Sequence, residues 1–217
     1  GYRVMRIATH HAARSKGLGS YLLERCHAEF EDVVDWFGVG YGATPQLVGF
    51  WRDAGYRPVH LSITANDRSG EHSALMLRPS SAAGRELVDR HTARFRERIG
   101  PMLCDVLSDV DPDVVRELLA AAGPPTDGDP DLTDREWQVV AGVGYGPGTY
   151  EAAPGVFRTL SLVALSEPVD ELTDRQAHLL IRKVLQGEPW GSVAEALGYA
   201  STSQCMREMG AVARTFC

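Results

Sequence analysis

Cysteine is scarce in this sequence and shows no metal-binding spacing. The four cysteines stand far apart, form no Cys-x-x-Cys pair and have no Cys/His ligand spacing. This argues against both a zinc centre and a disulfide framework. We therefore expect no metal and four reduced cytosolic thiols, which are Cys26, Cys104, Cys205 and Cys217.

Long apolar runs are lacking as well. No run approaches the roughly 18 residues that a membrane span needs, and no signal peptide is recognisable. The Gly-x-x-x-x-Gly-Lys-Ser/Thr loop of P-loop proteins is absent. The 217 residues, 44% of them hydrophobic, suffice for one or two packed domains. We expect a cytoplasmic protein. Because the chain starts with Gly1 and enters a strand pattern at once, we expect a fragment or a truncated gene product.

Lysine occurs only at positions 16 and 183, whereas arginine supplies the other 20 basic residues. The net charge of −7 fits a halophilic cytoplasm, although a GC-rich genome would also favour arginine over lysine. The charge is uneven, since residues 1–80 carry 9 basic and 8 acidic groups and residues 111–140 carry 2 and 8. Any contact with RNA must therefore come from local basic patches.

The most informative segment is a glycine-rich helix start near the N-terminus. Residues 4–9 predict a strand, a polar loop follows, and a helix begins on Arg14-x-x-Gly17-x-Gly19. Free N–H groups and the helix dipole at such a start attract phosphate, and glycine allows close approach. The third glycine of a dinucleotide-binding fold is missing. An ordinary glycine-rich turn would explain the pattern equally well on its own.

The next residues predict a strand over 33–42, a helix over 45–54, and strands over 58–64 and 71–78. Thr44 is the expected N-cap, Pro45 the first helical residue and Gly55 the stop. A turn over 66–70 joins the last two strands. The order strand, helix, strand, helix, strand, strand resembles that of the second half of a GNAT acetyltransferase.

Several motifs narrow this resemblance to the tRNA(Met) cytidine acetyltransferases, with the archaeal and specifically haloarchaeal branch as the nearer match. They are Ile7-Ala8-Thr9-His10, Tyr41-Gly42-Ala43-Thr44, Phe50-Trp51-Arg52, Gly55-Tyr56 and Ser69-Gly70-Glu71-His72-Ser73-Ala74. The resemblance implies a partial GNAT acyltransferase fold of the α/β class, a mixed sheet with helices, followed by a mostly helical C-terminal RNA-binding domain. The helicase-like module of that family, which would bind ATP and magnesium, has no counterpart here.

The remaining chain is predicted to be helical. Apolar residues at four-residue spacing predict a helix over 83–107, flanked by arginines that form either an RNA-binding face or, as we favour, a solvated one. A short helix is expected over 112–122, and Thr133 and Glu136 predict a capping box. We divide the chain into residues 1–80 (acetyltransferase module), 81–122 (helical connector), 123–131 (linker) and 132–217 (RNA-binding domain).

The C-terminal stretch over 172–216 allows three interpretations. The first part of it resembles the helix-turn-helix of bacterial transcription regulators, a DNA-reading device. A purely structural helical scaffold is also open. We favour the tRNA-binding region of the cytidine acetyltransferases, on Gly146-Pro147-Gly148-Thr149-Tyr150-Glu151, Arg182-Lys183-Val184-Leu185-Gln186-Gly187 and Ser201-Thr202-Ser203-Gln204-Cys205-Met206-Arg207. The predicted RNA-binding side chains are Arg182, Lys183 and Arg207.

The resemblance also implies a reaction, the transfer of acetyl from acetyl-CoA to the exocyclic amine of the wobble cytidine of elongator tRNA-Met. The backbone of Ile7, Ala8 and Thr9 would bind the pantetheine arm. The pyrophosphate would be held by Arg14, Ser15, Lys16, Gly17, Leu18, Gly19 and Ser20. Asp53 stands where the family often has an arginine, and a carboxylate there would repel the phosphates.

For proton transfer we name His10, which follows the coenzyme strand, and then Tyr41 and Tyr56, although a loop-capping or core role fits each of them too. Three other interpretations of the chain's function stay open. It could be a GNAT enzyme that acts on a protein or small-molecule amine, or a non-enzymatic helix-turn-helix protein. It could also be a fragment that is inactive until the missing N-terminal portion of the same enzyme joins it.

Overall fold

The computed structural model describes residues 1–124, 128–167 and 172–217, and it divides into two compact units, residues 1–97 and 98–217. The helix Ala82–Leu103 begins in the first unit and ends in the second. The expected boundaries at residues 80, 122 and 131 stay predictions, and residues 125–127 of the expected linker lie outside the described residues. No described helix is long and apolar enough to cross a membrane.

The first unit alternates strands and helices as the sequence predicted. Its elements are β1 (Tyr2–Val4), a 3-10 turn (His11–Ala13), α1 (Leu18–Phe30), β2 (Trp36–Gly42), α2 (Pro45–Asp53), β3 (Arg57–Ala65), β4 (His72–Pro79) and the first part of α3 (Ala82–Leu103). In the described residues the strands form one mixed sheet in the order β1-β2-β4-β3, with β1 parallel to β2 and the other pairs antiparallel. This mixed sheet flanked by helices agrees with the partial GNAT fold that the sequence resemblance implies.

Both faces of this sheet are covered by helices. Successive side chains of a strand point to opposite faces of the sheet, so Trp36 and Phe37 of β2 lie on opposite faces. Phe37 contacts His27 of α1, with ring centroids 4.8 Å apart, and Tyr41 contacts Trp51 of α2 at 6.0 Å. On the other face Trp36 packs into a cluster that α3 completes, formed by Val59, Leu77, Val88 and Leu87.

The first strand is shorter than predicted. We expected residues 4–9 to be extended in the sheet, but β1 ends at Val4, and its last register pair is Val4 with Val39. β2 continues to Gly42 along β4, so beyond Val39 it has lost its parallel neighbour. A strand is defined by its partner as well as by its own residues, and the apolar pattern of residues 4–9 does not reveal where that partner is lost.

The second unit is helical within its described residues. It contains the end of α3, then α4 (Pro112–Ala122), α5 (Asp134–Tyr145), a 3-10 turn (Tyr150–Ala152), α6 (Pro154–Ala164), α7 (Asp174–Leu179), a π-helical segment (Leu180–Leu185), α8 (Trp190–Ala196) and α9 (Thr202–Thr215). The π-helical segment lies at the centre, since its apolar side chains Leu180, Ile181, Val184 and Leu185 are all fully buried. Arg158 Nη1 donates to Leu185 O of this segment at 3.5 Å and to Gly100 O of α3 at 2.7 Å.

Most predicted helix ends are confirmed, and a few are wrong. The bounds of α4 and the capping box of α5 are as expected. The helix predicted to continue to residue 107 stops at Leu103, and Leu107 is brought back into the core by a turn in which its N–H binds Met102 O at 2.9 Å. α8 begins at Trp190, directly after Pro189.

Candidate functional site

The glycine-rich helix start forms an open cleft in the first unit, here called the α1 cleft. Its volume is about 280 Å³. Six of the seven residues predicted to hold a pyrophosphate line it, together with Thr9, Ala13 and Phe50. The seventh, Lys16, is exposed on the same loop. The structure therefore brings the predicted loop together around one concave surface.

The N-terminus of α1 carries no side-chain cap. Gly17 occupies the N-cap position at φ +74°, a left-handed conformation that suits glycine, and no side chain accepts from the first N–H groups of the helix. These N–H groups belong to Leu18, Gly19 and Ser20, and the helix dipole adds positive potential beside them. The loop before it contains Ser15 at φ +57°. Such an end offers several donors to one anion.

Arg14 links this loop to the segment before it. Its Nε donates to Thr9 O at 3.4 Å, and its side chain lines the cleft. No strand pairs with residues 5–9 among the described residues. The backbone of Ile7, Ala8 and Thr9, predicted to bind an extended arm as part of a strand, therefore lies outside the sheet ladder.

Phe50 is a lining residue that the sequence did not single out for binding, although it stands in the Phe50-Trp51-Arg52 motif. It comes from α2 and approaches the position of a Cβ on Gly19 to 3.6 Å. Asp53 does not line the cleft. Its carboxylate is paired with the guanidinium of the neighbouring Arg52 at 3.1 Å.

The three candidates for proton transfer have different surroundings. His10 is exposed, its Nδ1 accepts from Ala12 N at 3.4 Å, and its ring lies 4.1 Å from that of His11. This hydrogen bond makes His10 a loop-capping residue, the alternative role that its sequence position also allowed. The Tyr41 hydroxyl donates to Met76 Sδ at 2.8 Å. Tyr56 is 1% exposed, with its hydroxyl 2.9 Å from Nε2 of His27. Burial raises the pKa of both tyrosines.

A second cleft, here called the α5–α9 cleft, lies in the second unit and has a volume of about 430 Å³. It is formed by the end of α5, the glycine loop over 146–149, the following 3-10 turn, Trp190 and one face of α9. The sequence connected the glycine loop with Arg207 only through a family resemblance. The structure places both in one cleft and adds Arg214, which the sequence missed.

The other two predicted RNA-binding cations are engaged within the unit. Arg182 Nη1 donates to Glu188 Oε1 at 2.8 Å, and Lys183 Nζ donates to the Glu188 carbonyl at 2.9 Å. Lys183 Nζ also lies 5.0 Å from the ring centroid of Trp190. These contacts fix the turn that leads into α8.

Glu151 is the acidic residue among those lining the α5–α9 cleft. Its Oε1 accepts from Trp190 Nε1 at 2.7 Å. Burial acts to raise the pKa of Glu151, but hydrogen bonds from Trp190 and other donors, with the charge of Lys183, outweigh it and leave the pKa below its usual value. The carboxylate is thus ionised and held by the indole. No group of His, Cys, Asp and Glu suited to a metal was found in the described part of the chain.

Comparison with known proteins confirms the resemblance. Residues 20–81 match the family model GNAT acetyltransferase 2. The chain is 56% identical to the tRNA(Met) cytidine acetyltransferase of Haloferax volcanii over 97% of its own length and 28% of that protein. It is 49% identical to the enzyme of the same name from Haloarcula marismortui, over 98% of this chain and 27% of that protein. It is 36% identical to the one from Pyrococcus furiosus, over 91% of this chain and 25% of that protein. The chain thus spans about a quarter of the length of these relatives.

Proposed function

We propose that this chain, similar to about a quarter of a tRNA(Met) cytidine acetyltransferase, binds the acetyl donor and the RNA for that reaction. The donor is acetyl-CoA, and the acceptor is the exocyclic amine of a tRNA cytidine, specifically the wobble cytidine of elongator tRNA-Met. In this proposal the chain acts in the cytoplasm. ATP and magnesium are bound by a further portion of the same enzyme, and that portion is a partner of this chain.

The observation that carries the proposal is the uncapped N-terminus of α1 above the α1 cleft. An anion seated there accepts from the N–H groups of Leu18, Gly19 and Ser20 without displacing a protein side chain. The diphosphate of acetyl-CoA is such an anion. Arg14 and Lys16 add charge, and Ser15 and Gly17 give the loop its left-handed turns. The residues present therefore fit the group.

The pantetheine arm would bind the backbone of Ile7, Ala8 and Thr9. Since these residues lie outside the sheet ladder, their peptide groups can pair with the amides of an extended ligand. Asp53 is neutralised by Arg52 and does not line the cleft, so its repulsion of phosphate is reduced.

The cytidine amine is uncharged at neutral pH and is a weak nucleophile, so most of the rate must come from its position against the thioester. A proton leaves the amine as it attacks. We assign its removal to His10, which is exposed and follows the segment that binds the arm. As the C–S bond breaks, CoA leaves as a thiolate that takes up a proton, and Tyr41 is the candidate donor of that proton. Tyr56 is the weakest, because it is buried and bonded to His27.

For RNA we assign direct contact to Arg207, which is exposed and lines the α5–α9 cleft. Arg182 and Lys183 would contribute by holding the turn around Glu188 and with it Trp190. We divide the roles in this way because Arg182 and Lys183 are already bonded to Glu188 within the unit, whereas Arg207 faces the cleft.

Calorimetric titration of the full chain with acetyl-CoA tests the donor site. Arg14→Ala is expected to weaken binding about five- to tenfold, since a cation beside a phosphate is lost. Arg68→Ala, in the exposed turn between β3 and β4, is the matched control and should bind like the parent chain. Equal affinities for the two variants, or no binding by the parent chain, would exclude the α1 cleft as the donor site.

Transfer of labelled acetyl to tRNA, with the remaining portion of the enzyme supplied, tests the reaction. Label in tRNA that depends on this chain supports the proposal. Label in a peptide library with none in tRNA would show a GNAT enzyme with another acceptor. Sequence-specific binding of duplex DNA, without acetyl-CoA binding, would favour the regulator.

A further inference from the structure

Two side chains of opposite charge lie over the end of β2 in the first unit. The Arg3 guanidinium comes within 3.3 Å of the position that a Cβ on Gly40 would take, and the Glu71 carboxylate overlaps the position of a Cβ on Gly42. Residues 40 and 42 lie on the same face of the sheet, about 6.6 Å apart along the strand. This pair of side chains is here called the Arg3–Glu71 site.

The backbone fixes both residues, whereas their charged groups are not engaged. Arg3 of β1 is in register with Gly38 of β2. Glu71 closes the turn between β3 and β4, where its carbonyl oxygen accepts from Asn66 N at 2.9 Å. Neither charged group has a hydrogen bond or an ion pair with another residue in the ranges that the structure describes. Both charges are therefore available to a ligand.

The α3 helix does not cover this end of the sheet face. It packs on the same face against Trp36 and Leu77, near the start of β2. Leu75, which is in register with Gly40, is 38% exposed, and Gly40 is itself exposed. A planar ligand can therefore approach the end of β2 from this side and contact the Arg3–Glu71 site.

The proposed donor site lies on the other side of the sheet. α1, whose N-terminus we assign to the diphosphate, packs through His27 against Phe37, on the face opposite to that of Trp36. An arm bound to the backbone of residues 7–9 would run along the edge of β2 at residues 40–42, where β1 is no longer paired. The thioester at the end of that arm is then open to attack from the face that carries the Arg3–Glu71 site.

The two charges match the hydrogen-bonding edge of cytosine. Its exocyclic amine donates a hydrogen bond and its ring oxygen O2 accepts one, so a carboxylate suits the first and a guanidinium the second. Uracil has an oxygen in place of the amine, and a carboxylate repels that oxygen. A lysine amine is a cation at neutral pH, and Arg3 would repel it.

We infer that the Arg3–Glu71 site binds the acceptor base. Glu71 accepts a hydrogen bond from the exocyclic amine of cytosine, and Arg3 donates to its O2. The two contacts hold the amine against the thioester and select cytosine over uracil, while removal of the proton stays with His10. The inference rests on the proposed function for its donor and acceptor, and it assigns recognition of the base to residues of the first unit that the sequence did not single out as a site.

Two tRNA transcripts that differ only in having cytidine or uridine at the acceptor position test the inference, with binding to the full chain measured in the presence of CoA. The parent chain should bind the cytidine transcript about tenfold more tightly. Glu71→Gln should bind the two transcripts about equally, because an amide can accept from the amine or donate to the oxygen. Glu24→Gln, exposed on α1, is the matched control and should keep the preference of the parent chain.

Arg3→Gln tests the second contact. Both bases have O2, so this variant should bind both transcripts about tenfold more weakly and keep the preference for cytidine. Arg25→Gln, exposed on α1, is the matched control and should bind both transcripts like the parent chain. A loss in Arg3→Gln no larger than that in Arg25→Gln would overturn the contact. So would a fall of about 0.7 in the slope of log affinity against log salt, which indicates a phosphate contact.

Acetyl transfer, with the remaining portion of the enzyme supplied, gives a second measurement. Glu71→Gln should lower kcat/KM for tRNA about 10- to 100-fold and leave the affinity for acetyl-CoA unchanged, since the donor binds on the other face. Normal acetyl-CoA binding with no preference between the transcripts, or the same preference in Glu71→Gln and Glu24→Gln, would overturn this inference alone. A parent chain that binds no acetyl-CoA would overturn the proposed function and this inference with it.

Discussion

His27 and Tyr56 share a hydrogen bond within the core of the first unit, with His27 Nε2 and the Tyr56 hydroxyl oxygen 2.9 Å apart and the two residues 5% and 1% exposed. Burial, assisted by the positive charge of Arg78, lowers the pKa of His27 from 6.5 to about 4. The imidazole is therefore neutral at physiological pH, and α1 is joined to the residue that precedes β3 by an uncharged pair.

This pair predicts a loss of stability in acid. Between pH 6.5 and about 4 the unfolded chain binds a proton at His27 and the folded chain does not, so the free energy of unfolding falls as the pH is lowered through that window. The loss should be on the order of 2–3 kcal/mol and should be complete near pH 4. Urea titrations from pH 7 to pH 4 measure it.

His27→Gln should keep a neutral partner for Tyr56 and remove this titration, so its stability should depend less on pH than that of the parent chain. His60→Gln, at an exposed position of β3, is the control and should keep the parent profile. Parallel profiles for the parent chain and His27→Gln would contradict the assignment.

Gly19→Ala separates folding from donor binding. Gly19 is the second residue of α1, and an added Cβ would meet Phe50 Cε2 and Thr9 Oγ1 at 3.6 Å, an ordinary contact. Alanine should therefore stabilise the helix by about 0.5–1 kcal/mol. Its methyl group occupies the α1 cleft, so affinity for acetyl-CoA should fall about tenfold. Thermal unfolding and calorimetry check the two effects.

Gly155→Ala is a matched control for this change, because Gly155 is likewise the second residue of a helix, α6, with open space around it. It should give the same gain in stability without loss of donor binding. A gain in stability with full acetyl-CoA affinity in Gly19→Ala would mean that phosphate does not approach this helix end.

Arg182→Met tests whether this cation is structural. The ion pair with Glu188 joins side chains that are 28% and 23% exposed, so its loss should lower the free energy of unfolding by about 1–2 kcal/mol. Affinity for tRNA should fall less than on removal of Arg207, to which we assign the direct contact. Unchanged stability with a clear loss of RNA binding would instead make Arg182 a direct RNA contact, as the sequence predicted.

Gly148→Ala should destabilise the second unit. The added Cβ would lie 2.9 Å from the backbone of Gly142, which is rigid helix and cannot move aside. The expected cost is about 1–3 kcal/mol, typical of overpacking. Denaturant unfolding measures it, with Gly155→Ala again as the neutral or stabilising comparison. A cost below that range would show that the glycine loop can shift away from α5.

The elements that the sequence predicted well have explicit end signals. α4 is confirmed to the residue because Asp111 caps it, Pro112 starts it and Gly123 stops it at φ +71°. α2 is confirmed for the same reason, through Thr44 and Pro45. Such signals act within one turn of the chain, so they can be found without knowledge of any distant neighbour.

The features that the sequence did not predict depend on distant residues. β1 ends where β2 loses its parallel register, and Gln186 N bonds to Ile181 O, five residues back, in the π-helical segment. The α1 cleft was anticipated because its donors are consecutive in the chain. The α5–α9 cleft was anticipated only in part, since Glu151 and Trp190 meet across 39 residues.

The early end of the pairing between β1 and β2 has a consequence for how this protein would report ligand binding. Beyond Val39, β2 is paired with β4 along one edge, and its other edge has no pairing with β1. Every second peptide group of residues 40–42 points toward that unpaired edge. Those amide hydrogens should exchange quickly with deuterated solvent. An extended ligand laid along this edge would act as the absent strand, and slower exchange confined to these residues and to residues 7–9 would map its path without any measurement of catalysis.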